Sequence, residues 1–513
     1  MSVFNQKKIC LSLTTLGMTF LGFLLVSPAH AEPVKLKKVE KVIEAPQETA
    51  PEDRKKVFNA ESFTLDNGLE IVVVQNTRTP VVTQMLWYKV GAADEALGHS
   101  GIAHFLEHLL FKGSAQVGGP ALQAGEFSKI IRNFGGQDNA FTTHDTTTYF
   151  QSVPKDKLET AMRMEAGRMN GLSVALDHVT SERKVVLEER KQRTDNNPKE
   201  QFQEKLQAAA FAGHPYGIPV IGWEKEMAQM QWPEIKAFYD AHYAPNNAIL
   251  VVSGDISPAE VFQMAIDTYG QFPRETVPER TRVQTPIKTP QTDLTMEHPA
   301  IHEPVIETLY RVPSAHTNKT ESLALQVLAE IMGGGPTSRL YKSLVVDKRI
   351  ATDADLSYDS NEWDDSSLYL YATPAKGKSL ENIKKAFDKE LRRLIEKGVT
   401  PKELDAAKSR LQDQATYAMD SLSGPAMMIG EAMANGATLD DVEYWPYDIA
   451  GVSASQVQAV AAKYLNPDQP WKTPPVTGTL FPQGQAPKVE AKPTAQKTKT
   501  PKTTTAVVPP QKD

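Results

Sequence analysis

Gly101-Ile102-Ala103-His104-Phe105-Leu106-Glu107-His108-Leu109-Leu110-Phe111-Lys112-Gly113 is the stretch on which the reading of this chain turns. Its helix formers, free of proline and closed by a glycine, predict a short and largely buried helix. On such a helix His104 and His108 project from one face, with Glu107 beside them. Two imidazoles and a carboxylate in one small volume suit a zinc site, the imidazoles binding the metal and the carboxylate acting on its water. A buried helix whose histidines are merely hydrogen-bonded is the plainer alternative. The choice turns on a third ligand elsewhere in the chain.

Upstream, residues 62–65, the turn Asp66-Asn67-Gly68 and residues 69–74 predict a strand, a tight turn and a strand. Residues 81–91 predict another strand, and the loop 92–100 leads into the motif helix. Downstream, after a helix and Gly135-Gly136, residues 139–143 and 146–153 continue the sheet. Helices are predicted over 156–170, 177–194 and 232–243, and then a buried strand over 248–255. Proline and threonine thicken between Phe272 and Pro290, which marks a domain boundary.

Beyond that boundary the pattern restarts. A strand over 307–312 precedes a helix over 321–332, the triplet Gly333-Gly334-Gly335 and a helical 338–344. Strands near Asp355 and over 367–373 lead to helices over 379–397 and 401–419. Sheet, long helix and second long helix recur in the same order, which suggests a duplication. The expected fold class is therefore α+β, with two similar domains at 57–275 and 293–482 and a linker at 276–292. Each domain is expected to be a largely antiparallel sheet with helices over one face.

At 513 residues the chain is too long for a single core. A net charge of -7 and the lack of a basic stripe in the folded part argue against nucleic-acid binding. Lys7 and Lys8 precede an apolar run over 9–26, and Ser27-Pro28-Ala29-His30-Ala31 ends in an Ala-x-Ala site, so 1–31 reads as a signal peptide. Ser12, Thr14, Thr15 and Thr19 interrupt the run, which argues against a permanent membrane anchor. The mature protein is expected to be exported, periplasmic and without an integral membrane span. Its only cysteine, Cys10, lies in the signal, so no disulfide can form within the mature chain. Residues 32–56 read as a linker, and 483–513, rich in Lys, Thr, Pro and Gln, as a disordered tail.

The helix predicted over 177–194 contains Glu182-Arg183-Lys184-Val185-Val186-Leu187-Glu188-Glu189-Arg190. Glu182, Val186 and Glu189 share one stripe, whereas Glu188 points roughly a quarter-turn away. Taken alone, a Glu-rich helix reads better as an exposed charged face.

Together, His104-Phe105-Leu106-Glu107-His108 and Glu182-Arg183-x-Val185-Val186-x-x-Glu189 resemble the pitrilysin-type inverzincin metallopeptidases, relatives of insulin-degrading enzyme and the mitochondrial processing peptidase. Asn139-Ala140-Phe141-Thr142, Pro215-Tyr216-Gly217 and Tyr243-Ala244-Pro245-Asn246-Asn247-Ala248 extend the resemblance, which covers nearly everything from Phe58 to Leu465. The length is like that of the small two-domain bacterial members. The resemblance implies one zinc per chain, held by His104, His108 and Glu189, with Glu182 behind them and Glu107 as general base. It favours Glu189 over the adjacent Glu188 as the ligand. It also implies an edge strand at Asn139, Ala140 and Phe141 to which a peptide substrate adds as an extra strand.

One departure limits the implied activity. Single-chain members complete the site from the second half with an arginine and a tyrosine, and the matching positions here are Val345 and Thr352. A homologous partner subunit is therefore expected to supply that pair in a heterodimer, with a homodimer as the alternative. Arg339 and Tyr341 lie nearby as substitutes. The competing functional class is a non-catalytic polypeptide-binding or scaffold subunit, which would usually lose a ligand or the base.

Overall fold

Segments such as Ile71-Val72-Val73-Val74 are buried at every position, so their strands must be covered on both faces. The computed structural model, which describes residues 54–282, 292–468 and 473–487, shows how both faces are covered.

The first half contains β1 (Glu61–Thr64), β2 (Glu70–Gln75), β3 (Val81–Tyr88) and the motif helix α1 (Ile102–Leu109). A small ribbon, β4 (Gly113–Ser114) and β5 (Leu122–Gln123), precedes α2 (Glu126–Asn133), β6 (Gln137–Thr142) and β7 (Thr147–Pro154). Then come α3 (Leu158–Asn170), α4 (Leu176–Arg190), α5 (Pro198–Ala210), α6 (Glu224–Gln229), α7 (Trp232–His242), β8 (Ala248–Gly254) and α8 (Pro258–Thr268). The second half opens with β9 (Asp293–His298), β10 (Val305–Val312), α9 (Lys319–Gly333), β11 (Ala351–Tyr358) and β12 (Ser366–Pro374). It closes with α10 (Leu380–Lys397), α11 (Pro401–Asp420), α12 (Gly424–Ala434), α13 (Leu439–Glu443), α14 (Trp445–Gly451), α15 (Ala454–Tyr464) and β13 (Val476–Pro482).

The first sheet runs β1-β2-β8-β3-β7-β6 and the second β11-β12-β10-β13-β9. Without β1 the two orders correspond strand for strand, β2-β8-β3-β7-β6 to β9-β13-β10-β12-β11. The pairing sense also agrees: β2/β8 and β9/β13 are parallel, and every other pair is antiparallel. The α+β class and its largely antiparallel sheets are as expected.

The covering of the sheets goes beyond the expectation of helices over one face. Ile71, Val73, Val82, Leu86 and Leu250 pack against the first half's own helices, including Phe105, Leu106 and Leu109 of α1. The opposite face, with Val72, Val74, Met85, Trp87 and Val251, is closed by Ala426 and Ile429 of α12, which belongs to the second half. The exchange is mutual. Phe202 and Leu206 of α5 pack on the second sheet against Val305, Leu309, Val476 and Leu480. Both crossings need glycine: a Cβ on Gly430 would lie 2.0 Å from Trp87 Nε1, and one on Gly478 would lie 2.6 Å from Phe202 Cζ.

The sequence reading did not include α5, α8, α12 or β13. The helix expected over 177–194 is α-helical to Arg190 and continues as a π-helical turn, Lys191–Asp195. The helical stretch expected over 338–344 is π-helical over Tyr341–Asp347. In the expected linker, Arg282 is buried and bridges the halves, with Nη1 2.5 Å from Asp94 Oδ1, Nη2 on Asp145 and Nε 3.1 Å from Asp364 Oδ2. At the chain's other seam, the amides of Phe58 and Ala60 donate to the Glu443 carboxylate at 2.8 and 2.6 Å. The signal peptide expected at 1–31, most of the linker at 32–56 and most of the tail at 483–513 lie outside the described residues. Among the described residues no helix is long and apolar enough to cross a membrane.

Candidate metal centre

Helix α1 is held at its N-terminus by a carboxylate. The amides of Gly101 and Ala103 donate to Glu95 at 2.8 and 2.9 Å, satisfying donors that a helix start leaves unpaired. Its apolar residues Phe105, Leu106 and Leu109 face the core. His104 and Glu107 are buried too, and the His104 and His108 rings lie 4.8 Å apart.

Helix α4 packs against α1 and presents its acidic stripe to these rings. Glu189 Oε2 lies 3.2 Å from His108 Nε2 and 4.0 Å from His104 Nε2. One ligand atom each from His104, His108 and Glu189 fall within 4.8 Å of one another. Glu182 Oε1 sits 3.0 Å from His108 Nδ1, and its other oxygen takes Lys112 Nζ at 2.7 Å. Glu188 is exposed and accepts from Gln192 Nε2 at 3.2 Å, so the one-residue register matters as the stripe requires.

The electrostatics follow from burial and proximity. Burial, reinforced by the neighbouring His108, lowers the pKa of His104 to about 3, which leaves its imidazole neutral with a free lone pair. Burial opposes protonation of His108, but the Glu182 and Glu189 carboxylates outweigh it and raise its pKa to about 9. Burial likewise opposes ionisation of Glu189, yet the bond to His108 and the proximity of His104 and Arg193 hold it down at about 2. Burial raises Glu107, and the bond from Thr142 works against it. The cluster thus pairs anionic and neutral donors in a pocket where a proton on His108 competes with a metal.

Glu107 Oε2 accepts from Thr142 Oγ1 at 2.7 Å, which ties the motif helix to strand β6. Among the described residues that strand is the last in its sheet and pairs only with β7. Asn139 is exposed, and its Oδ1 accepts from the Ala140 amide at 2.9 Å. Phe141 meets Trp87 edge-on at 5.5 Å between ring centres. The three residues named from sequence therefore lie on a free sheet edge next to Glu107.

Four residues around the cluster escaped the sequence reading. Glu95 caps α1, Thr142 holds Glu107, and Arg193 Nη2 lies 2.7 Å from Glu189 Oε1. Arg190 binds both oxygens of Glu204 at 2.9 Å and the Gly222 carbonyl at 3.0 Å, fixing the end of α4. Only Arg193 left a local trace, its spacing of four from Glu189.

In the second half the place of α1 is taken by α9, whose Leu325, Leu328 and Met332 are buried in an apolar core. Val345 lies in the π-helical stretch, and exposed Thr352 bonds the Thr373 carbonyl across the hairpin. Arg339 is taken by Glu403, at 2.8 and 2.9 Å, and by the Gly398 carbonyl, so it braces the start of α11.

Residues 70–224 match the family model described as insulinase (peptidase family M16), and residues 231–411 match the peptidase M16 inactive domain. Zinc protease PqqE of Helicobacter pylori is 31% identical over 420 residues, which cover 80% of this chain and 91% of that protein. A crystal structure of a protease from Helicobacter pylori aligns with a TM-score of 0.73 at 29% identity, covering 83% of this chain and 99% of that one. The periplasmic protease PqqL from Escherichia coli shares the fold at 18% identity with a TM-score of 0.67, and the match covers 82% of this chain and 47% of that one. With both halves matched in order, and a relative at this identity matched over nearly its whole length, the chain belongs to peptidase family M16.

Proposed function

We propose that this chain is a zinc-dependent endopeptidase subunit, exported to the periplasm, that hydrolyses peptides or small unfolded polypeptides. The observation that carries this reading is the convergence of His104, His108 and Glu189 beside Glu107. Two imidazoles and one carboxylate are the donor set of a catalytic zinc with an open position. The His108 Nδ1 contact with Glu182 leaves Nε2 turned toward Glu189 and the metal position, which fits that role. Zinc bound there supplies Lewis acidity, polarising a peptide carbonyl and making water acidic.

Glu107 is the proton carrier. Its raised pKa suits a group that accepts a proton from the attacking water and gives it to the leaving nitrogen. Thr142 keeps one oxygen of Glu107 engaged, which fixes the carboxylate's orientation. Asn139, Ala140 and Phe141 are proposed to take substrate as an added strand. In support, the Ala140 amide donates to its neighbour's side chain, an acceptor that an incoming peptide carbonyl would replace. Such backbone recognition tolerates many sequences.

The oxyanion side of the site is proposed to come from a homologous partner subunit carrying the arginine and tyrosine missing at Val345 and Thr352. The engagement of Arg339 with Glu403 supports this, as does PqqL, whose chain is about twice as long as the part matched here. Metal analysis of the purified protein tests the reading together with Glu107→Gln. About one zinc per chain is expected, with the variant keeping its zinc and losing cleavage of a quenched peptide by roughly 10²–10⁴-fold. A zinc-free, inert protein would instead favour a polypeptide-binding subunit. Full activity of the chain alone would remove the partner requirement.

A further inference from the structure

Glu189 does not sit at a free helix end. The chain runs from α4 into the π-helical turn Lys191–Asp195 and then, across Asn196 and the extended N-cap Asn197, into α5, the helix exchanged onto the second sheet. π-helical turns are rare and frequently accompany functional sites, and this one ends α4. Here the turn carries Arg193, and Arg193 Nη2 meets Glu189 Oε1 at 2.7 Å. The other oxygen, Oε2, faces the two imidazoles at 3.2 and 4.0 Å. The carboxylate is therefore divided, with one oxygen given to Arg193 and one to the metal position.

We propose that Arg193 is a positioning residue for the metal centre, presenting Glu189 through a single oxygen and so keeping a coordination place free. The inference rests on the zinc reading above and extends it to a residue outside the ligand set. Arg193 itself stands at the end of a braced segment. Arg190 clamps the near side of the turn to Glu204 of α5. Beyond the turn, Asn197 caps α5 through the Lys199 amide at 3.2 Å, and buried Phe202 lodges against Gly478 of β13. The second half, whose described residues offer no ligand to the cluster, thus helps to hold the turn that aims the third ligand.

A cation beside a metal also repels it. Arg193 is half-exposed, at 48% side-chain accessibility, and solvent screens its repulsion of a dication. Its bond to Glu189 acts at contact distance and fixes the rotation of the carboxylate. Loss of such an orienting partner lowers metal affinity by roughly 10–100-fold in comparable sites. Orientation therefore outweighs repulsion.

The test uses the full chain with zinc, titrated against a competing chelator, and cobalt substitution as a second readout. Arg193→Ala should weaken zinc binding about 10-fold or more. Cobalt absorption in that variant should weaken, as expected for a carboxylate that adds its second oxygen. Arg193→Lys, which can still reach one oxygen, should recover part of both. Arg193→Ala with unchanged or tighter zinc binding and an unchanged cobalt spectrum would overturn the proposal while leaving the zinc reading intact. Failure of the parent chain to bind zinc would overturn both. Because Arg193 is half-exposed, the unfolding midpoint of the metal-free variants should stay that of the parent.

Discussion

Helices α1 and α9 occupy the same place in two sheets of equivalent strand order, and they do opposite things there. Each follows the central antiparallel strand, β3 or β10, and precedes the outer hairpin, β6-β7 or β11-β12. Helix α1 brings His104, Glu107 and His108 up against Glu182 and Glu189 of α4. Helix α9 fills the same space with Leu325, Leu328 and Met332. One scaffold therefore tolerates either a polar cluster or an apolar core at this position. A polar cluster costs stability unless every charge is paired, and the first half pairs its charges through Lys112, Thr142 and Arg193. The second half, relieved of that cost, serves as structure: it supplies α12 to the first sheet and receives α5 on its own.

The largest effect should come from separating the halves. Residues 54–282 expressed alone would expose the Trp87 face and leave Phe202 without a partner, so no cooperative unfolding transition and no near-ultraviolet circular dichroism are expected. A soluble fragment that unfolds cooperatively would show that the exchange of helices is dispensable. Next is Trp87→Ala, which empties the contact with α12 while sparing the metal cluster; denaturant unfolding should register a loss of about 3–5 kcal/mol.

The two glycines test whether the exchange is equivalent on both sides. Gly430→Ala and Gly478→Ala each force a methyl into an aromatic ring, and each should cost about 1–3 kcal/mol by the same unfolding measurement. A costly Gly430→Ala beside a neutral Gly478→Ala would make α12 a structural requirement and α5 an accessory. The effect that should touch the fold least is local to the charged half. Glu182→Gln should leave the apolar packing untouched and weaken zinc by roughly 10–100-fold in chelator competition, because His108 loses an ionised partner at Nδ1. Unchanged affinity would mean that Lys112 already neutralises Glu182.

Much of this was legible along the chain. The motif helix, the strands at 70–75 and 248–254, and the common stripe of Glu182 and Glu189 follow from periodicities of 2 or 3.6 residues within a few turns. The preference for Glu189 over Glu188 as a ligand came with the family resemblance. What escaped had weak local signals. Helix α12 is short, rich in Gly, Ala and Met, and partly buried around much of its circumference, so it shows no amphipathic stripe. Strand β13 reads Val476-Thr477-Gly478-Thr479-Leu480, with a glycine where a β-branched residue would announce a strand, because Phe202 occupies that space. Thr142, Glu95 and Arg282 carry no spacing that connects them to Glu107, α1 or the far half.

The order of residues by itself determined that His104, Glu107 and His108 share a helix face, that Glu189 lies on the stripe of Glu182, and that two α+β halves follow one another. These are consequences of backbone geometry over short distances, which few other contacts can override. Only the tertiary structure decided that α4 brings that stripe to within contact of α1, that Arg193 takes one oxygen of Glu189, and that each half covers the other's sheet. Those outcomes depend on which buried surfaces find each other across hundreds of residues, and local periodicity marks which face is buried but not what it packs against.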